Sequence, residues 1–295
     1  ASQTEETDAS HTEEMEHMND KNKLYYLLKF CDRQFVIDNV LKPKHSSSFD
    51  TYNDDRNNLC KSTTLLSSAI KFGIVSIREV CQAFIRNKPL VEQLIWRDFY
   101  AQLLDAYPDM IKLNGSIQNK QFVNENSSLK EKYDSIEWEG TQSHFEAWCN
   151  GLTGFPIVDA GMRELLHTGY MHNRARLITA SFLVKTLLIS WKQGEAFFAT
   201  KLIDYDVPSN NGNWQWVAGT GADSQPYFRI FNPWLQSKKH DPTTNYIKKW
   251  IPELRNVPPD HIHKWYDHCE EYHGLESSTN YDTCYPKPIV DFSIQ

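Results

Sequence analysis

Long apolar runs are missing from this chain of 295 residues. The longest, Leu177 to Ser190, is interrupted by Lys185 and is too short to cross a bilayer, so no membrane association is expected. No glycine-rich dinucleotide motif or parallel-sheet pattern occurs in the first fifty residues. The six cysteines (Cys31, Cys60, Cys81, Cys149, Cys269, Cys284) stand far apart without a Cys-x-x-Cys pair. That spacing argues against an iron–sulfur cluster, and no metal site is expected. With no signal-peptide pattern ahead of them, the thiols are expected to stay free in a reducing compartment, cytoplasm or nucleus. No internal repeat and no sustained period-two alternation appear, which removes the usual signature of a half-buried sheet.

Positive charge is absent from one place in particular. Residues 1–20 hold seven acidic side chains and no Lys or Arg, and the stretch from Glu253 to Gln295 holds eight acids against three bases. Residues 21–252 therefore carry 28 basic and 23 acidic side chains, although the whole chain has a formal charge of −7. A mildly basic middle between acidic ends suits an anionic partner that must not be bound indiscriminately. The Ser/Thr-rich start, residues 1–22, reads as an acidic disordered leader. Residues 23–295 read as one domain.

What is present is helical periodicity. Leu177, Ala180, Val184, Leu187 and Trp191 recur at spacings of three and four and predict one helix face. Pro156 to Leu166 and Leu90 to Leu104 read the same way. Lys44–Asn58, Asn114–Ser128, Pro208–Asn213 and Gly219–Pro226 are predicted loops from their Gly, Pro, Asn and Ser content. The expected fold class is all-α.

Aromatics make up 13% of the chain, and they gather in unusual company. Asn210-Asn211-Gly212-Asn213-Trp214-Gln215-Trp216 sets two indoles among amides, a combination suited to stacking on and hydrogen-bonding a heteroaromatic ring. Ser62-Thr63-Thr64-Leu65-Leu66-Ser67-Ser68 precedes a helical pattern ending at Phe72-Gly73. Hydroxyls and free amides there suit an anion, although an ordinary Ser/Thr cap explains them equally well from the residues alone.

Together with Trp96-Arg97-Asp98-Phe99-Tyr100, Met171-His172-Asn173-Arg174-Ala175-Arg176 and Pro226-Tyr227-Phe228-Arg229-Ile230-Phe231-Asn232-Pro233, these motifs resemble the FAD-binding half of photolyases and cryptochromes. The resemblance runs from about Tyr52 to about Leu254. It is nearest the photolyases that split cyclobutane dimers, and Asp204-Tyr205-Asp206 with Gly212-Asn213-Trp214 leans toward DASH-type cryptochromes.

The resemblance implies a helical domain holding FAD, with Tyr52 and the stretch Thr63, Thr64, Leu65, Leu66 and Ser67 at the pyrophosphate. Leu65 departs from the Arg of many relatives. Arg176 and Asp204 are the implied ion pair over the isoalloxazine, Asp206 faces the ribose or the flavin edge, and Asn173 serves both cofactor and substrate. Asn210 is the implied residue at flavin N5. Trp138, Trp191 and Trp214, at gaps of 53 and 23 residues, are the implied electron relay.

For substrate, UV-damaged DNA, the resemblance implies Trp96 and Trp216 as the walls of a pocket for a flipped dimer. Gln93 and Asn173 would bond base edges, Leu177 would line the pocket, and Arg174, Arg229 and Lys239 would meet phosphates. Gln93 stands where dimer-splitting relatives have Glu, and Leu177 where they have Met. His is absent from the positions that (6-4) chemistry needs.

The implied activity is light-driven dimer repair by a monomer. A cryptochrome-like blue-light photoreceptor, or the flavin-binding half of a split photolyase with little activity alone, stays open beside it. Family members normally begin with an α/β antenna domain. No room for one precedes residue 52, so a separately encoded antenna partner is the matching expectation.

Overall fold

The computed structural model describes residues 31–42, 47–61, 63–111, 116–118, 121–123, 126–222, 230–272 and 285–291. The expected acidic leader lies outside these residues, as does Arg229. All core elements are helices, as the missing period-two pattern predicts. One small antiparallel hairpin is the exception, pairing β1 (Ser116–Gln118) with β2 (Gln121–Val123) inside a predicted loop.

A first group of helices builds a small core. These are α1 (Arg33–Val36), α2 (Tyr52–Asp55), α3 (Leu66–Lys71), α4 (Ile77–Ala83) and the start of α5 (Lys88–Ala106). Val36, Leu66, Ala69, Val75, Val80, Phe84 and Leu90 are buried together, and Tyr52 and Leu65 pack against them. Local chemistry places the boundaries. Ser76 and Glu79 form a capping box at α4, and Asn87 caps α5 just ahead of Pro89. Beyond Leu90, α5 keeps no buried side chain. Its flank lies along a helix of the second group, and Ile95 and Trp96 stay exposed.

The second group forms the main core: α6 (Gln142–Asn150), α7 (Pro156–Thr168), α8 (Asn173–Ser181), α9 (Trp191–Lys201), α10 (Val207–Ala218), α11 (Pro233–His240) and α12 (Asn245–Trp250). Two short helices, α13 (Pro259–Ile262) and α14 (Trp265–His268), close it. Trp148, Phe155, Phe182, Trp191, Trp214, Ile247 and Trp265 lie at its centre. Asp159, fully buried on α7, accepts hydrogen bonds from Thr153, Gly154 and Tyr285, which ties residues 285–291 to this core.

Three predicted boundaries are corrected, the first by α2 (Tyr52–Asp55), which forms inside the expected loop Lys44–Asn58. The helix face expected to run through Trp191 stops early: α8 widens into a π-turn at Phe182–Thr186, and Leu188 is left-handed at φ 52°. A new helix then starts with Ser190 as cap and Trp191 as its first residue. The expected loop at Pro208–Asn213 is instead the first half of α10. Asp206 caps it, and Pro208 sits in the first turn where its missing N–H costs nothing. Among the described residues no helix is long and apolar enough to cross a membrane.

Candidate functional site

One charged pair joins α8 to the turn between α9 and α10. Arg176 on α8 donates from one guanidinium nitrogen to both Asp204 oxygens at 3.1 and 2.8 Å, and its Nε bonds the Met171 carbonyl at 2.8 Å. Burial pulls the Arg176 pKa down, but Asp204, with Tyr170 and Glu164, together outweighs it, the net shift is upward and the group stays charged. Asp204 is buried, while about a quarter of the Arg176 side chain remains open. The pair thus shows one polar face to a ligand and is otherwise packed away.

Tyr170 connects this pair to the Thr/Ser stretch. The Arg176 guanidinium lies 5.3 Å from the Tyr170 ring centre, and Thr63 Oγ1 is 3.4 Å from the Tyr170 hydroxyl. Burial pushes the phenol up to about 12, so it stays neutral. Leu65 takes the left-handed conformation at φ 53°, and no side chain caps α3. Thr63, Thr64 and Leu65 are half-buried, Leu66 is buried and Ser67 is exposed. Tyr52 packs half-buried beside Leu65 in the small core. The stretch expected to meet the cofactor is therefore brought to Arg176 and Asp204 through a tyrosine that no sequence motif marks.

Asn210 has a fixed orientation. Its Nδ2 donates to Glu195 Oε1 at 3.0 Å, and the buried Glu195 carboxylate also accepts from the Tyr205 hydroxyl at 3.1 Å. Burial raises the Tyr205 pKa first and Glu195 raises it further, so the phenol keeps its proton as donor. Asn210 is left presenting its carbonyl oxygen, an acceptor. The neighbouring Asn211 is buried with its Nδ2 unpaired and its Oδ1 accepting from Gln215. Glu195 is likewise absent from the expected residues. Its only signal in sequence is a carboxylate one helical turn beyond Trp191.

Asp206 is busier than expected. Its carboxylate caps α10 by accepting from the Ser209 N–H at 3.4 Å, it also accepts from Ser209 Oγ at 2.5 Å, and Arg97 stands 3.6 Å away. Its first task is to start the helix that carries Asn210.

The three tryptophans expected as the relay all join the main core. Trp191 and Trp214 are buried, and Trp138 packs half-buried against that core. Trp214 lies against the backbone of α9 at Gly194, where any side-chain carbon would overlap its ring. Among the described residues no ring contact joins Trp214 to Trp191. Its aromatic neighbours are Phe198 at 5.0 Å and Trp148 at 6.2 Å, the latter outside every expected motif.

Trp96 and Trp216 do come together. They line one pocket with Tyr100, Met110, Gly212 and Gln215. The Tyr100 ring fills the place a side chain at Gly212 would need, so the glycine lets α5 approach α10 closely. Trp96 is half-exposed, which leaves an indole available for stacking at the mouth.

The remaining expected residues divide. Gln93 donates from Nε2 to the Pro89 carbonyl at 3.1 Å and so presents its oxygen. Asn173 is exposed at the start of α8, with Leu177 half-buried one turn on. Lys239 is exposed on α11 beside Lys238. Arg174 is partly withdrawn, since its guanidinium grips Asn57 Oδ1 at 2.6 and 3.2 Å.

Residues 90–295 match the family model described as the FAD binding domain of DNA photolyase. The chain is 43% identical over 242 residues to a deoxyribodipyrimidine photo-lyase of Buchnera aphidicola from Acyrthosiphon pisum, covering 78% of this chain and 46% of that protein. A class III photolyase from Agrobacterium tumefaciens superposes with a TM-score of 0.74 at 34% identity, over 88% of this chain and 53% of that one. A Synechocystis cryptochrome gives 0.71 at 32% identity, over 92% and 53%. The chain spans about half the length of these relatives.

Proposed function

The chain belongs to the FAD-binding domain family of DNA photolyases, and we propose that it binds FAD and repairs cyclobutane pyrimidine dimers in DNA under blue light. The observation that carries this reading is the double duty of α10. One helix bears Asn210, locked by Glu195 so that its oxygen is offered, and Trp216, which shares a pocket with Trp96.

The residues present fit FAD. Arg176 and Asp204 offer a charged, half-covered edge to a ring with both donors and acceptors. The uncapped start of α3 and the hydroxyls of Thr63, Thr64 and Ser67 suit the pyrophosphate. The buried, unpaired Asn211 amide supplies a donor still lacking an acceptor. Bound in its reduced form and excited by light, FAD supplies the electron that opens the cyclobutane ring and receives it back.

The chain's own residues do the positioning. Trp96 and Trp216 take up the flipped bases, each stack returning about 1–3 kcal/mol against an extrusion cost that is smallest at damage. Gln93, held by Pro89, offers its carbonyl to a base N–H, and Asn173 serves a second edge. Lys239, with Arg229 and Arg174, meets backbone phosphate without reading sequence. Trp214, Trp191 and Trp138 carry an electron inward when the cofactor is oxidised. Asn210 would offer its fixed carbonyl oxygen to the flavin edge, an acceptor suited to a reduced ring.

The protein works as a monomer in a reducing compartment. An antenna domain, in the same or a separate chain, would add light capture and leave the chemistry unchanged. Fluorescence titration of the FAD-reconstituted chain with matched oligonucleotides tests the reading. Dimer-containing DNA should bind about tenfold or more tightly than undamaged DNA. Equal affinity for both would favour the photoreceptor or half-enzyme alternative, and no FAD uptake by folded protein would contradict all of these readings.

A further inference from the structure

Away from α10, the end of the main core carries a cluster the repair reading does not use. His261, at the end of α13, stacks on His268, at the end of α14, with ring centres 3.9 Å apart and planes 6° from parallel. Glu271 reaches both rings. One of its oxygens is 2.7 Å from His268 Nδ1 and the other 3.7 Å from His261 Nδ1. One donor atom from each of the three residues lies within 4.8 Å of the others.

We propose that His261, His268 and Glu271 form a binding site for a divalent transition-metal ion of the zinc type. Spacing favours it first. Zinc bonds of about 2.1 Å in a tetrahedral shell set neighbouring donors roughly 3.4 Å apart. The separations of 2.7 and 3.7 Å bracket that value, so side-chain adjustment alone closes the site.

The donor set favours it next. Two imidazoles and one carboxylate are borderline nitrogen and hard oxygen donors, the class that takes zinc and leaves a fourth position for water. A carboxylate also neutralises half the charge of a divalent ion at a surface where nothing else need be desolvated.

The mounting is equally suited. Ile262, Trp265, Cys269 and Tyr272 are buried, and they fix the backbone on which the three ligands stand half-exposed. The Tyr272 hydroxyl lies 2.8 Å from the same His261 Nδ1, a contact that the ion would displace. All three ligands fall within eleven residues of sequence, and the metal would clasp α13 to α14.

Calorimetric titration of the untagged, FAD-loaded chain with zinc chloride tests the site. One saturable equivalent is expected, and a His261→Gln/His268→Gln variant with unchanged flavin content should bind at least about tenfold more weakly. X-ray absorption of the wild-type zinc complex tests the same site without any variant. Two imidazole scatterers with oxygen donors are expected. No saturable binding, binding unchanged in the variant, or a sulfur shell from the exposed Cys31 and Cys60 would overturn the proposal.

Discussion

Trp214 rests on Gly194: the indole occupies the space that any side chain at that position would fill. Two helices meet there because one of them offers bare backbone. Gly194→Ala should therefore cost about 1–2 kcal/mol, the overpacking penalty less the helix gain of alanine. It should also slow light-driven reduction of oxidised FAD by displacing the innermost indole of the relay. Thermal unfolding and flavin bleaching under illumination check both effects. Unchanged values for both would mean that the contact is slack and the relay does not depend on it.

Asp204→Asn should leave a folded but flavin-poor protein. Breaking a buried ion pair costs about 3–5 kcal/mol, and the low end applies because Arg176 keeps some contact with solvent. Flavin per chain after reconstitution, measured from the absorbance spectrum, should fall severalfold. Full flavin content in the variant would remove the pair from the cofactor site.

His172 gives a pH dependence with a definite sign. Burial chiefly, with Arg176, Arg174 and His240 nearby, holds it down to about 4, against 6.5 for a free imidazole. Between those values the unfolded chain binds a proton that the folded chain refuses, so stability falls as pH drops from 6.5 toward 4. The full penalty is about 3 kcal/mol. Buried Asp159 and Glu164, raised by burial, act in the opposite direction, so the comparison must be with a variant. His172→Asn keeps the acceptor that caps α8 and removes the titration. Urea midpoints should converge or cross as pH falls, and a gap independent of pH would contradict this.

Much of the site was legible because its residues sit in contiguous motifs. Arg176, Asp204, Asn210, Trp96 and Trp216 were expected through the resemblance those motifs carry, and the structure brings Arg176 to Asp204 and Trp96 to Trp216. The residues that hold them did not. Tyr170, in the turn between α7 and α8, and Glu195 on α9 act through contacts with residues elsewhere in the sequence, and a single Tyr or Glu carries no mark of the partner it will meet. The fold class followed from helical periodicity, but the break before Trp191 was hidden. A π-turn preserves an apolar pattern while shifting its face, and the left-handed Leu188 has no sequence signature. Pro208 misled in the other direction, since proline ends a helix and also begins one.

Lys239→Ala should weaken binding to any DNA sequence alike. Removing one phosphate contact should lower the slope of log affinity against log salt by about one. Fluorescence anisotropy across a salt series measures it. An unchanged slope would mean that Lys239 faces solvent in the complex.

Light-driven repair itself can be measured by illuminating the anaerobic, FAD-reduced chain with dimer-containing single- and double-stranded oligonucleotides and counting restored thymines against a dark control. Light-dependent repair by the wild type is expected. The yield in Gln93→Glu should be equal or modestly higher, because a carboxylate accepts a stronger hydrogen bond than an amide. Absence of repair in both forms, with flavin reduced and DNA demonstrably bound, would contradict the repair function and leave the photoreceptor or half-enzyme reading in its place.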